Sequence, residues 1–239
     1  MSLETVNFDQ FRLQPGDVVL DLGCGEGRHA ITAYLKENVH VIGLDLSSSD
    51  LNTAQTRFRE FEASDDSGRS VEFLRASGLN LPFADASFDK VICAEVLEHI
   101  PDYQSVLAEI QRVLKPGGQF AVSVPRFWPE WICWRLSDEY HEVEGGHVRI
   151  FRSAELRQAI EQRSMHRFAW HWAHGLHSPY WWLRCLFWKQ GEEIWPVRIY
   201  HRLLVWDLMQ KPTITRWLEQ LCNPLWGKSI VMYFVRDNT

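Results

Sequence analysis

Between Asp17 and Pro125 the chain alternates short apolar runs with stretches whose apolar residues recur every three or four positions. Val18–Leu22, Val39–Leu44, Val71–Leu74, Lys90–Ala94 and Gln119–Val124 are short apolar runs and predict strands. Arg28–Lys36, Asp50–Phe61 and Tyr103–Leu114 carry the longer period and predict helices. The last is the clearest, because Val106, Leu107, Ile110, Val113 and Leu114 share one face at a period of about 3.6 residues. Asp102 stands where its side chain can accept from the first free N–H groups of that helix, and Lys115-Pro116-Gly117-Gly118 stops it. Strands without a polar face, separated by helices, imply a parallel sheet covered on both sides. The expectation is an α/β, doubly wound fold.

Further along, Ser153–Gln162 predicts a helix with Ser153 as its cap, His166–Trp172 a sixth strand and Ser229–Val235 a seventh. The intervening Ala173–Lys228 is too long for a hairpin turn and predicts helices around Tyr180–Lys189, Val197–Met209 and Thr213–Leu221. The expected division is therefore a main domain of residues 1–172 and 229–239, with 173–228 inserted as a helical cap. Composition changes in the same sense. All 12 tryptophans lie at or after Trp128, as do 7 of the 10 histidines. The net charge of −6 divides into −9 for residues 1–125 and +3 for the rest.

An acidic chain without a basic run argues against a nucleic-acid partner, because phosphate neutralisation supplies most of that affinity. No apolar run reaches the roughly 20 residues of a membrane span. Met1–Arg12 mixes acids with apolar residues and lacks a secretory leader pattern. Cys24, Cys93, Cys133, Cys185 and Cys222 are an odd, scattered set, which suits reduced thiols and a cytoplasmic location. The histidines and carboxylates show no metal-ligand spacing, so no metal is expected.

The candidate chemistry begins at Val18-Val19-Leu20-Asp21-Leu22-Gly23-Cys24-Gly25-Glu26-Gly27, a strand entering an Asp-x-Gly-x-Gly-x-Gly loop that opens a helix. Glycines let the backbone turn tightly and let a ligand approach, and the free N–H groups of the helix start favour an anionic group. The spacing differs from the dinucleotide pattern Gly-x-Gly-x-x-Gly, and an acid precedes the first glycine by two positions. A carboxylate there repels pyrophosphate and attracts an ammonium group, so the ligand is expected to carry an α-amino group. Asp45 ends the second strand about 20 residues beyond, where a carboxylate can grip ribose hydroxyls. It can equally serve the helix that starts near Ser47–Asp50.

These features resemble the class I methyltransferases, especially the small-molecule branch that includes ubiquinone and menaquinone methyltransferases. Leu81-Pro82-Phe83-Ala84-Asp85-Ala86-Ser87-Phe88-Asp89, Glu95-Val96-Leu97-Glu98-His99 and Leu114-Lys115-Pro116-Gly117-Gly118 carry the resemblance over residues 17–125. It implies a Rossmann-like sheet of seven strands, mostly parallel with an antiparallel last strand, and S-adenosyl-L-methionine as cofactor. By that resemblance Asp21, Gly23, Gly25 and Gly27 hold the methionine portion and Asp45 the ribose, with Leu46 beside the adenine. Ser77, Gly78 and Leu79 meet the adenine edge, and Glu95 lies near the sulfonium. The family usually has an acid where Ser77 stands, so that contact loses charge assistance.

Methyl transfer from a sulfonium is an in-line displacement, for which the protein chiefly aligns nucleophile, carbon and sulfur. A hydroxyl acceptor would also use a base. His99, after the fourth strand, is one candidate; its alternative role is a structural hydrogen bond at a helix start. His141 and His147 flank Gly145-Gly146 and are either substrate contacts or loop residues. Glu98 is a further candidate base.

The resemblance also implies that the connection between strands six and seven emerges at the cofactor's edge of the sheet, as an aromatic-rich lid. Three readings of its tryptophans stand: a small helical core, a pocket for a planar or hydrocarbon acceptor, and a peripheral contact with anionic lipid centred on Tyr180–Lys189. Trp131 and Trp134, three apart, can share one helix face. The expected activity is methylation of a small, aromatic or apolar molecule. Alternatives are a lipid-associated or peptide methyltransferase, and a cofactor-binding partner subunit without turnover.

Overall fold

The computed structural model describes residues 4–238 apart from 62–67, 144, 192 and 211, so residues 1–3 and 239 of the expected main domain lie outside the described residues. Seven strands form one sheet: β1 (Val18–Leu22), β2 (His40–Asp45), β3 (Ser70–Arg75), β4 (Phe88–Ala94), β5 (Leu114–Pro125), β6 (Met165–Ala173) and β7 (Ser229–Arg236). Their order is β3-β2-β1-β4-β5-β7-β6. The first five run parallel, and β7 lies antiparallel between β5 and β6. The strand order reverses between β1 and β4, and the crevice outside their carboxyl ends is where ligands bind in such sheets.

Each strand feeds two cores because side chains alternate across the pleat. Leu20, Leu22, Val91, Cys93, Phe120 and Val122 point to one face, where α3 (Tyr103–Val113) and α6 (Ser153–Glu161) pack through Val106, Ile110, Leu156 and Ile160. Val19, Val41, Ile92, Ala121 and Tyr233 point to the other, against Ala30 and Ala33 of α1 (Arg28–Lys36) and Phe11 of the N-terminal segment. That segment is tied down by His29, whose Nε2 accepts from the N–H groups of Thr5 and Val6 at 3.4 Å each. Burial pushes His29 down to about 3, which keeps the ring neutral and able to accept.

Asp102 caps α3 as expected, accepting from the Ser105 N–H at 3.2 Å. Ser153 does not cap α6: it is the helix's first residue, and the cap position belongs to Arg152, whose side chain makes no capping bond. The Lys115–Gly118 stretch ends α3 yet belongs to β5. Pairing jumps from Phe88–Leu114 to Lys90–Gln119, so four residues bulge opposite Asp89. Lys115 Nζ donates to both Asp89 carboxylate oxygens at 2.8 Å and closes the bulge.

Two helices follow β5 that no periodicity announced, α4 (Phe127–Leu136) and α5 (Glu139–Glu142). Between β6 and β7 lie α7 (His177–Leu186), α8 (Trp195–Gln210) and α9 (Thr213–Trp226). Helix α9 runs five residues beyond the expected Leu221 and contains Pro224. Pairing of Ser229 with both Pro125 and Ala173 fixes where this unit leaves and returns: the carboxyl edge of β5 and β6. Arg126 fastens it there. Its guanidinium donates to the carbonyls of Asn223, Pro224 and Leu225 at 3.1–3.3 Å and stacks 3.9 Å over the Trp172 ring. Those carbonyls belong to the last turn of α9, where the Asn223 carbonyl also accepts from the Gly227 N–H at 3.0 Å.

Candidate active site

The turn after β1 uses three alternate glycine positions with positive φ: Gly23 at 72°, Gly25 at 51° and Gly27 at 81°. At Gly23 a Cβ would stand 2.3 Å from Val96 Cγ2, so close packing with the loop after β4 demands glycine. At Gly25 nothing lies within 4 Å of a Cβ, which leaves a bare backbone facing open space at the crevice. Asp21 sits beneath the turn, 1% exposed; Oδ2 accepts from the Ala30 N–H at 2.9 Å and Oδ1 has no partner. Burial pushes its carboxyl up to about 7 against the opposing pull of the Ala30 bond and Arg28.

Asp45, at the end of β2, performs one of the two tasks open to it in the sequence, that of serving the helix start, and it also holds the glycine turn. Oδ1 accepts from the Ser47 N–H at the start of α2 (Ser48–Phe58), and Oδ2 accepts from the Gly25 N–H, each at 2.8 Å. Leu46 beside it is exposed. Ser77 accepts from the Leu79 N–H at 3.2 Å, which shapes the Ser77-Gly78-Leu79 turn; Leu79 is exposed. Glu95 is one of four described non-glycine residues with positive φ, at 58°. It is held there by its N–H to the Ser123 carbonyl at 3.0 Å and by Oε1, which accepts from the Ser123 hydroxyl at 2.8 Å. Such strain persists where the surroundings overdetermine the backbone, and it is common at working sites.

Beyond Glu95 the fold assembles a polar cluster from four separate segments. Glu98 is fully buried and neither carboxylate oxygen has a hydrogen-bond partner. Burial and the charge of Glu95 hold its carboxyl well above the usual carboxylate range. His99 lies with Nε2 4.0 Å from Glu98 Oε1 and its ring 4.9 Å from that of His147. Burial and His147 push His99 below the ordinary histidine value, which leaves a neutral ring with a free lone pair.

His147 is oriented by Glu130 of α4, Nδ1 to Oε1 at 2.6 Å. The same carboxylate accepts from Trp134 Nε1 at 3.2 Å and from the Tyr140 hydroxyl at 3.3 Å. Lys228, just before β7, lies 3.9 Å from Glu130 Oε2. Burial alone would raise Glu130, but the His147 bond and the Lys228 charge outweigh it and keep the carboxyl low. Burial opposes the charge on Lys228, and the surrounding Glu130, Glu95 and Glu98 restore it above its usual value.

The structure thus brings His99 and His147 together and puts His141 elsewhere: that ring stacks on Trp134 at 4.1 Å between centroids. Trp134, Trp181, Trp182 and Trp188 pack around buried Cys133, Tyr140 and Cys185, a core at the junction of α4 and α7. Trp131, three residues from Trp134, is instead half exposed, so the pair does not share a buried face. Glu130 and Lys228 escaped sequence reasoning because one sits in an unannounced helix and the other at a segment boundary. The only available signal was a charged residue amid apolar neighbours.

Sequence spacing offered no metal site, yet two groups of the described residues could hold a cation. Ligand atoms of Glu98, His99 and His147 lie within 4.8 Å of one another, as do those of His174, His177 and Glu219. The second group borders a cleft of about 510 Å³ between Thr5–Asp9 and α9, which shares no lining residue with the glycine turn.

Comparison with known proteins agrees with this architecture. A family model described as "Methyltransferase domain" matches residues 13–175. The O-methyltransferase rstn1 of Aspergillus nomiae is 38% identical over 45% of this chain and 46% of its own length. The sterol 24-C-methyltransferase of Eremothecium gossypii is 34% identical over 61% of this chain and 35% of its own length. The chain therefore spans less than half the length of these curated relatives. A solved SAM-dependent methyltransferase of Methanosarcina mazei has the same fold, with a TM-score of 0.63 at 18% identity over 99% of this chain and all of the other. On the extent of the family match, joined to the sheet order and the glycine turn, the chain belongs to the methyltransferase-domain family.

Proposed function

We propose that the protein is an S-adenosyl-L-methionine-dependent methyltransferase acting on a small apolar or aromatic molecule. One observation carries the reading. The bare backbone of Gly25 faces open space and is held by Asp45 at the end of β2, and the strand that enters the same turn carries buried Asp21 with one unpartnered oxygen. This cradle fits a ligand with a cationic amino acid at one end and ribose hydroxyls at the other. When bound, S-adenosyl-L-methionine supplies a methyl group on a sulfonium.

The protein's residues then have distinct tasks. Asp21 attracts the ammonium group, Asp45 receives the ribose, and the αL backbone at Glu95 turns its carboxylate toward the reacting end. Glu98, His99 and His147 line the acceptor side. With Glu130 ionised and acceptor-only, His147 Nδ1 is the donor of that bond, so Nε2 is left to orient an acceptor hydroxyl. Neutral His99 is the base for an acceptor hydroxyl. Alignment of the three reacting atoms contributes on the order of 7–11 kcal/mol. Trp134, Trp181 and Tyr140 give the acceptor side an apolar wall, and α7–α9 close it as a lid.

The test is calorimetry with S-adenosyl-L-methionine and its demethylated product. The native chain binds both, and Asp45→Ala weakens them by about ten- to a hundredfold, the worth of a charge-assisted hydrogen-bond pair. Absence of any binding heat or thermal shift with the native chain refutes the reading.

A further inference from the structure

The cap carries a surface that the methyl-transfer site does not use. On α9, Ile214, Trp217, Leu218, Leu221 and Leu225 recur at helical spacing and form one stripe, with Ile214 65% and Trp217 63% exposed. On α8, Trp195, Ile199, Leu203, Trp206 and Met209 do the same, with Trp195 67% and Met209 63% exposed. Helix α9 is docked with its polar side inward. Thr215 is buried and bonded to the Pro212 carbonyl at 2.9 Å, Asn223 Oδ1 accepts from the Gly175 N–H at 2.8 Å, and Glu219 is half-buried. A soluble helix ordinarily buries its apolar stripe. Contiguous exposed apolar surface of this kind marks an interaction site.

Charge selects the occupant. The two carboxylates of these helices, Asp207 and Glu219, lie half-buried on the inward side, whereas Arg198 and Arg202 are exposed; Arg216 borders the cleft on the polar side of α9. By helical spacing Arg198 and Arg202 flank or interrupt the α8 stripe; Arg198 meets only the 90%-exposed Glu193, at 3.9 Å. Apolar residues with arginines among them suit an interface rich in anionic headgroups, where rings enter the acyl boundary and guanidinium groups meet phosphate. A second copy packed on the same face would set these arginines against one another across a two-fold axis.

We infer that the outward face of α8 and α9 is a peripheral docking site for an anionic phospholipid membrane. The surface differs from the Tyr180–Lys189 segment expected from composition, because α7 turns Trp181, Trp182 and Cys185 inward. The cap leaves and returns at the carboxyl edge of β5 and β6, so a docked membrane lies beside the acceptor side, and an apolar acceptor can be drawn from it. This last clause rests on the methyltransferase reading; the docking itself does not.

Flotation of the whole chain with phosphatidylcholine vesicles, with and without phosphatidylserine, tests the inference. Binding is expected to the serine-containing vesicles at low salt and to fall at high salt. Arg198→Gln/Arg202→Gln is expected to weaken it about thirtyfold, as suits two basic contacts. Trp206→Ser/Trp217→Ser is expected to weaken it at least about tenfold. All four positions are exposed, so the melting temperature and the binding of S-adenosylhomocysteine stay unchanged. Failure of the native chain to bind serine-containing vesicles at low salt, with S-adenosylhomocysteine binding intact, overturns the inference and spares the methyltransferase reading. Equal binding by the variants also overturns it. So does self-association that the tryptophan pair abolishes without any vesicle binding.

Discussion

Asp21 should make the protein less stable than it could be, and replacing it with asparagine exposes this. The carboxyl is 1% exposed, and burial raises it from 3.8 to about 7. Between these values the native state holds a proton that the unfolded chain has released, so wild-type stability falls as pH rises through that window. The full displacement corresponds to about 4 kcal/mol once both states are ionised. Asparagine keeps an oxygen for the Ala30 N–H but places an unpartnered NH₂ where Oδ1 now lies, at a cost of about 1–3 kcal/mol. The variant therefore ends about 1–3 kcal/mol more stable above pH 7. Its advantage over wild type should grow by about 3 kcal/mol between about pH 5 and about pH 8. Urea denaturation of both proteins at the two pH values measures this. Calorimetry on the same samples should show S-adenosylmethionine binding weakened at least about tenfold by loss of the charge. A stability gap that stays flat or shrinks as pH rises would refute the reasoning about the buried carboxyl.

Two other substitutions follow from particular contacts. Gly23→Ala should cost about 3 kcal/mol, from the left-handed backbone and the collision with Val96 together, and should cost less in a Val96→Ala background. Additive losses in the double variant, measured by urea denaturation, would show that the collision is not the cause. Glu130→Gln should destabilise by about 3 kcal/mol, because it leaves Lys228 charged among apolar rings, and Lys228→Met should do so for the complementary reason. The double variant should lose less than the sum, and strict additivity in thermal denaturation would mean the two charges do not interact.

The amino-acid sequence by itself determined what depends on neighbours along the chain. The apolar runs of β1, β2 and β4, the face of α3 with its Asp102 cap, and the glycine turn follow from spacing and backbone stereochemistry, which act over a few residues. Arrangements that join distant segments were decided only by tertiary structure. Glu98, Glu130, His147 and Lys228 are separated by up to 130 positions, yet they share one cluster because β4 and β5 end, and β7 begins, at the same sheet edge. Helix α4 was hidden because aromatic residues surround it and erase the one-sided pattern. The amphipathic pattern of α9 was readable, but not which side would face water: a helical period specifies a stripe, and only the partners offered by Gly175 and the β6 edge turned the polar side inward.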